Sequence, residues 1–322
     1  MNTSSSTRRL GLGLVILATA TAVLSIAIGR PVAQGAHGRY NPVIDKLARG
    51  ELVFGVSTDI LTVGNARALA SSGIDYVYVD MEHSPMNFDT LQTFLFGLTD
   101  KAAVLKKNSL QPNVATLARF APYGREQAQW VVKQALDIGL MGILFPTIET
   151  RDQALLAVRN MRYPQRTGSR YMEPPGLRGN GPQIAAWLWG LPVPEYVQRA
   201  DLWPLNPEGE LLALMMIESA EGVKNVNEIA AVPGVAGFYV GDNDLSNSLG
   251  VAPGSAESEA AIATIAKACQ THRIACGISA ESAEDMQKRI TQGFKILGGG
   301  GVKGGLTPTA DAALRAGRAA AR

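Results

Sequence analysis

The chain is expected to fold as an α/β protein, a (β/α)8 TIM barrel with an extra N-terminal helix and an extended segment after strand 4. Two observations carry this. Short β-rich apolar runs alternate with helical stretches, many of them ended by glycine, and the alternation runs through eight units. Four of those runs end in polar groups able to do chemistry: Asp80-Met81-Glu82-His83, Arg119, Glu218 and Asp244. Parallel barrels build their active sites in this way, from the C-terminal ends of different strands. A length of 322 residues suits one such domain behind a short leader.

Asn41-Pro42 opens a short helix over Val43–Ala48, ended by Gly50. Strands are expected at Glu51–Ser57, Tyr76–Asp80, Val114–Arg119, Gly142–Pro146, Leu211–Ile217, Val235–Val240, Ala275–Ser279 and Phe294–Leu297. The helices between them cover Leu61–Ser72, Asp89–Leu98, Arg125–Ile138, Arg151–Met161, Gly222–Ala230, Glu257–Thr271 and Ser282–Thr291, with a last one over Thr309–Ala320. The regular spacing breaks once, at 164–206, which holds Pro164, Pro174, Pro175, Pro182, Pro192, Pro194 and Pro204 with Trp187, Trp189 and Trp203. A long Pro-rich excursion is usually a lid or an interface. Placed after strand four, it is expected on the active face, partly buried between subunits.

Residues 1–36 read as a targeting segment and 37–322 as the barrel domain. Arg8-Arg9 precede an uncharged apolar stretch from Leu10 to Gly29, and small residues follow to Ala36. A cleaved signal peptide, hence a periplasmic or secreted protein, is the reading taken; an anchor through residues 10–29 is the alternative. The formal net charge is +2, but Arg8, Arg9 and Arg30 lie in this segment and no acid does. Without it 27 basic residues face 28 acidic ones, a charge of −1. With no basic run interleaved with aromatics, nucleic acid is not an expected partner.

Glu218 and Asp244 end adjacent strands and form the strongest pair. A carboxylate at the end of a buried strand costs desolvation unless it has a partner, and two such oxygen donors suit a hard divalent ion. Helix capping or a salt bridge is the structural alternative for each. His83 has the character of a general base near neutral pH. Arg119 suits a substrate carboxylate, or else pairs with Asp80 or Glu82. Gly298–Gly301, after strand eight, permit close approach of substrate or backbone, with phosphate binding as the weaker reading. Cys269 and Cys276 are read as two buried free thiols, although an exported protein meets oxidising conditions.

These segments resemble the HpcH/HpaI aldolase/citrate lyase family, from about Asn41 to the C-terminus. The resemblance rests on Asp80-Met81-Glu82-His83-Ser84-Pro85, the Arg119 strand end and Leu136-Asp137-Ile138-Gly139. It continues through Arg162-Tyr163-Pro164 with Gly176-Leu177-Arg178-Gly179, then Ile217-Glu218 and Gly241-Asp242-Asn243-Asp244-Leu245-Ser246. It implies a metal-dependent class II aldolase, an aldehyde-lyase that cleaves or forms 4-hydroxy-2-oxo acids through a metal-bound pyruvate enolate. Glu218 and Asp244 would hold Mg2+ or Mn2+, with Co2+ a further candidate. Arg119, Asn243 and Asp244 would bind substrate, and His83 would act as base. Asp137, at the opposite rim, would reach that histidine only from a neighbouring subunit of a homo-oligomer, a hexamer by this resemblance. The partners implied are 2-oxo acids and aldehydes. The chain departs from the family pattern at Met81 and Met216 and in the Gly-Gly-Val-Lys-Gly-Gly turn. The alternatives are a citramalyl- or malyl-thioester-type lyase, or an exported non-catalytic binder of carboxylated small molecules.

Overall fold

A computed structural model describes Met1, residues 38–121 and residues 123–321 of the chain. Residues 2–37, on which the targeting-segment reading falls, lie outside the described residues. Eight parallel strands close into a barrel in sequence order: β1 Val53–Thr58, β2 Tyr76–Asp80, β3 Ala115–Arg119, β4 Gly142–Phe145, β5 Leu212–Ile217, β6 Gly237–Val240, β7 Ala275–Ser279 and β8 Ile296–Gly301. The strands are apolar along nearly their whole length because helices cover the outside while side chains fill the inside. Most of the covering helices begin at a residue whose side chain accepts a bond from a first-turn amide: Thr62, Asn87, Thr150, Ser219, Ser255, Ser282 and Thr307.

The extra N-terminal helix, Pro42–Ala48, stoppers the N-terminal end of the barrel. Its Val43 packs beside Tyr76, Leu117, Leu144 and Leu214 in the barrel interior. Asn41 fixes the entry: its Oδ1 accepts from the Val43 amide at 3.0 Å, and its Nδ2 donates to the carbonyls of Met141 and Glu210 at 3.2 and 3.1 Å. The buried Glu210 carboxylate accepts from the Tyr40 and Asn41 amides. With the stopper at one end, the opposite mouth is the open one.

The elements differ from expectation in informative places. β8 continues to Gly301, so the glycine run is the strand itself rather than a turn after it. The helix expected over Arg125–Ile138 is two, Tyr123–Glu126 and Gln129–Asp137, interrupted where Gln127 adopts φ 50°. A helix at Lys101–Lys107 was not foreseen, and neither was Asp242–Leu249 directly after β6.

The segment 164–206 does not emerge on the active face. It follows the helix Arg151–Met161, which runs back from the mouth, and so it starts at the N-terminal end of the barrel. There it forms helices Gln183–Trp189 and Val193–Arg199. Trp189 Nε1 donates to the Gly139 carbonyl at 2.9 Å, and its ring stacks on Tyr40 with centroids 4.6 Å apart. Leu191 and Leu202 are buried, and Trp203 and Leu188 pack on the core. Much of the segment's apolar surface is thus used within the chain, while Leu177, Ile184, Val193 and Trp187 stay exposed, Trp187 beside Phe96. Arg162, fully buried, ties the segment down. It holds Asp201 at 2.7 and 3.0 Å and donates to the carbonyls of Tyr171 and Pro174.

The two cysteines are not free thiols. Cys269, late in the helix Ala256–His272, and Cys276, in β7, form a disulfide with Cα atoms 5.8 Å apart. The turn between helix and strand folds the chain back and brings them together, a closeness their separation of seven does not reveal.

Candidate active site

The C-terminal ends of the strands surround a cleft of about 410 Å3. Arg119, Met216, Tyr239, Asn243, Asp244 and Glu281 all line it. β2 and β3 run in register so that Asp80 lies directly beside Arg119. Arg119 accordingly forks onto Asp80, with Nη2 to Oδ2 at 2.7 Å and Nε to Oδ1 at 3.2 Å. Asp80 Oδ1 also accepts from the amides of Glu82 and His83, which shapes the turn after β2. Burial alone would raise the Asp80 carboxyl, but the Arg119 guanidinium and these amides outweigh it and hold it below the usual range. Arg119 has Nη1 left over, 4.0 Å from the Met216 sulfur, a weak acceptor. That donor is open to a ligand.

Glu82, which sequence reasoning did not single out as a site residue, joins the same cluster. Its Oε2 lies 3.2 Å from Arg119 Nε and 3.6 Å from His83 Nε2. The Nε proton is directed at Asp80, so Glu82 Oε2 stays buried without a hydrogen bond. Burial pushes the Glu82 carboxyl up to about 7, against the pull of Arg119 and with help from Asp80 and Asp244.

Glu218 follows β5 and is buried. Its Oε1 accepts from the amide of Thr147, a residue in the left-handed region at φ 50°, at 2.7 Å. Its Oε2 is buried with no partner. Burial raises this carboxyl to about 7, the Thr147 amide opposes the rise, and the charges of Glu82 and Asp244 add to it. The helix Asp242–Leu249 starts immediately above, with Asn243 and Asp244 in its first turn. A Cβ on Gly241 would stand 2.4 Å from Glu218 Oε2, so only glycine lets this helix approach the carboxylate so closely.

These carboxylates fit a cation. Glu82 and Glu218 each carry a buried oxygen with no hydrogen-bond partner, and repulsion among Glu82, Glu218 and Asp244 raises the cost of ionising them. Among the described residues, no group of three or more His, Cys, Asp or Glu side chains is arranged to hold a metal ion. The fit therefore concerns the Glu218–Asp244 pair, with coordination positions left over for other ligands.

The structure brings together Arg119, Glu218, Asn243 and Asp244. His83 stands outside the cleft at the rim, exposed, linked to it through Glu82. Asp137 ends the helix Gln129–Asp137 on the other side of the barrel, where its Oδ1 accepts from Arg178 Nη2 at 2.9 Å. Arg178 is itself held between the Tyr163 and Tyr196 rings. Within one chain Asp137 has no path to His83. Tyr78 and Tyr239 of the cleft were also missed. Their alternation with neighbours on β2 and β6 was the available signal for inward-facing positions.

The family profile described as HpcH/HpaI aldolase/citrate lyase matches residues 63–307. The chain belongs to the HpcH/HpaI aldolase/citrate lyase family. A hydroxypyruvate/pyruvate aldolase of Paraburkholderia phytofirmans is 32% identical over 259 residues, 80% of this chain and 90% of that protein. A 4-hydroxy-2-oxo-heptane-1,7-dioate aldolase of Escherichia coli is 33% identical over 201 residues, 62% of this chain and 64% of its own. Among solved structures, an HpcH/HpaI family protein of Burkholderia cenocepacia superposes with a TM-score of 0.65 at 29% identity, covering 84% of this chain and 93% of that one. Membership of the HpcH/HpaI family, with relatives named as aldolases, supports a lyase.

Proposed function

We propose that the protein is a divalent-cation-dependent aldolase that cleaves or forms 4-hydroxy-2-oxo acids, joining pyruvate or a similar 2-oxo acid to an aldehyde. The observation that carries this is Glu218, a buried strand-end carboxylate with one oxygen unpaired and Asp244 nearby on a helix that only a glycine allows so close. Glu218 and Asp244 would hold the ion, Mg2+, Mn2+ or Co2+, as oxygen donors suited to it. When bound, it would supply positive charge to the carboxylate and keto oxygens of the 2-oxo acid.

The chain's own groups do the rest. Arg119, oriented by Asp80, offers its remaining Nη1 to the oxygen that becomes negative when the methyl carbon loses a proton. Asn243, in the helix first turn, is positioned to bind the substrate's polar end. His83 takes up the proton through water, consistent with its place at the rim. Asp137 orients His83 of a neighbouring copy in this scheme, which requires a homo-oligomer such as a hexamer. A thioester lyase gains no support, because Arg119 is the sole basic side chain lining the cleft among the described residues.

Incubation with Mn2+ or Mg2+, pyruvate and a panel of aldehydes tests this. Formation of 4-hydroxy-2-oxo acids is expected. Pyruvate binding with no product would instead favour a non-catalytic binder.

A further inference from the structure

The wall of the cleft away from Glu218 is built from the ends of β7, β8 and β1. Ser279, Gly301 and Ser57 line it, and the Tyr239 hydroxyl meets Ser279 Oγ at 3.1 Å. Glu281, two residues beyond β7, reaches across the glycine run: a Cβ on Gly300 would lie 2.9 Å from its carboxylate. Gly300 has φ 87°, so the absent side chain is demanded by both backbone and space. Glu281 has no hydrogen-bond or ion-pair partner among the described residues, and it is exposed to the cleft. Asp242 and Asp285 stand on the same side, and Asp285 is matched by Arg289 at 3.0 Å. Among the described residues the one basic group lining the cleft is Arg119, which lies on the opposite wall and is already engaged by Asp80.

The second substrate must enter beside this wall, because the other side is taken by the groups assigned to the 2-oxo acid. Taking the aldolase reading as its basis, we propose that the acceptor is an uncharged, hydroxylated aldehyde, and that Glu281 is the residue that selects against carboxylated ones. Ser57, Ser279 and Tyr239 offer hydroxyls to such a substrate, whereas a terminal carboxylate would face Glu281 and Asp242, and among the described residues no basic side chain lines that wall. The reaction is balanced without further reagents. The pyruvate methyl carbon gives up a proton and bonds to the aldehyde carbon, and the aldehyde oxygen takes a proton to become the 4-hydroxyl. The same geometry opposes phosphate binding at the glycine run, since the Glu281 carboxylate lies over it.

The test compares kcat/KM for glycolaldehyde, succinic semialdehyde and 3-aminopropanal with pyruvate and Mn2+, in the wild type, Glu281→Gln and Glu281→Lys. Glycolaldehyde should lead succinic semialdehyde by about tenfold or more in the wild type, and the ratio should fall through Gln to Lys. Equal or better use of succinic semialdehyde, a ratio unchanged in both variants, or a preference for 3-aminopropanal would overturn the proposal. Deuterium exchange at the pyruvate methyl group without aldehyde, measured on the wild type, separates the two levels. Exchange with the wrong acceptor preference defeats this inference alone, whereas no exchange defeats the aldolase reading and this inference with it.

Discussion

Gly241 and Glu218 are set so closely that the smallest side chain at 241 would stand 2.4 Å from Glu218 Oε2. Gly241→Ala should therefore displace either the carboxylate or the helix that carries Asp244. Residues that orient metal ligands typically contribute about 10- to 100-fold in metal affinity. Calorimetric titration with Mn2+ should show a loss of that order while the circular dichroism spectrum stays that of the wild type. Unchanged affinity would remove Gly241 and Glu218 from the cation site.

The His83 ring meets the site at Glu82, with Nε2 3.6 Å from Oε2. His83→Ala should slow deuterium exchange at the pyruvate methyl group by about 10²- to 10⁴-fold and leave Mn2+ affinity as it was. Wild-type exchange in the variant would make His83 a structural residue.

Arg162 is fully buried on Asp201 and on two carbonyls of the segment 164–206. Removing one partner of a buried pair leaves an uncompensated charge and costs about 3–5 kcal/mol. Arg162→Ala should lower the stability found by urea denaturation by that amount, and a loss below about 1 kcal/mol, the scale of an exposed pair, would show that the pair is not what holds the segment.

Glu259 meets Arg289 at 2.9 Å on both nitrogens and Lys288 at 2.9 Å. Burial would raise its carboxyl, but these cations prevail and hold it at about 2. A lowered carboxyl stabilises the fold fully above its unfolded value near 4.5, and the gain disappears as pH falls toward 2. Between pH 5 and 2 the wild type should therefore lose more thermal stability than Glu259→Gln. Parallel melting curves across that range would show that the pair contributes nothing.

Much of the barrel was legible because β2, β5 and β7 are short apolar runs that stop at a polar residue or glycine, and because Ser, Thr and Asn stand at helix starts. The strand-end groups Arg119, Glu218 and Asp244 were legible for the same reason: polarity at the end of a buried strand is costly and needs a purpose. β8 was cut short because four glycines carry no side chains from which a pattern could be read. The Asp242–Leu249 helix was hidden by Gly-Asp-Asn-Asp, residues that signal a turn as strongly as a helix start. The direction of 164–206 was misjudged by counting from the strand instead of from the helix that follows it. Glu82 was legible only as part of the strand-end motif and as a possible partner of Arg119, and Glu281 gave no signal, since an acid two residues beyond a strand reads as solvated until the fold shows what it faces.

The measurement that bears most directly on the account is metal-dependent deuterium exchange at the pyruvate methyl group, followed by proton NMR in the wild type and in Glu218→Gln. The account predicts exchange by the wild type that requires added Mn2+ and is lost in Glu218→Gln. Exchange that persists in Glu218→Gln, or a wild type that exchanges no faster with Mn2+ than without it, would contradict it.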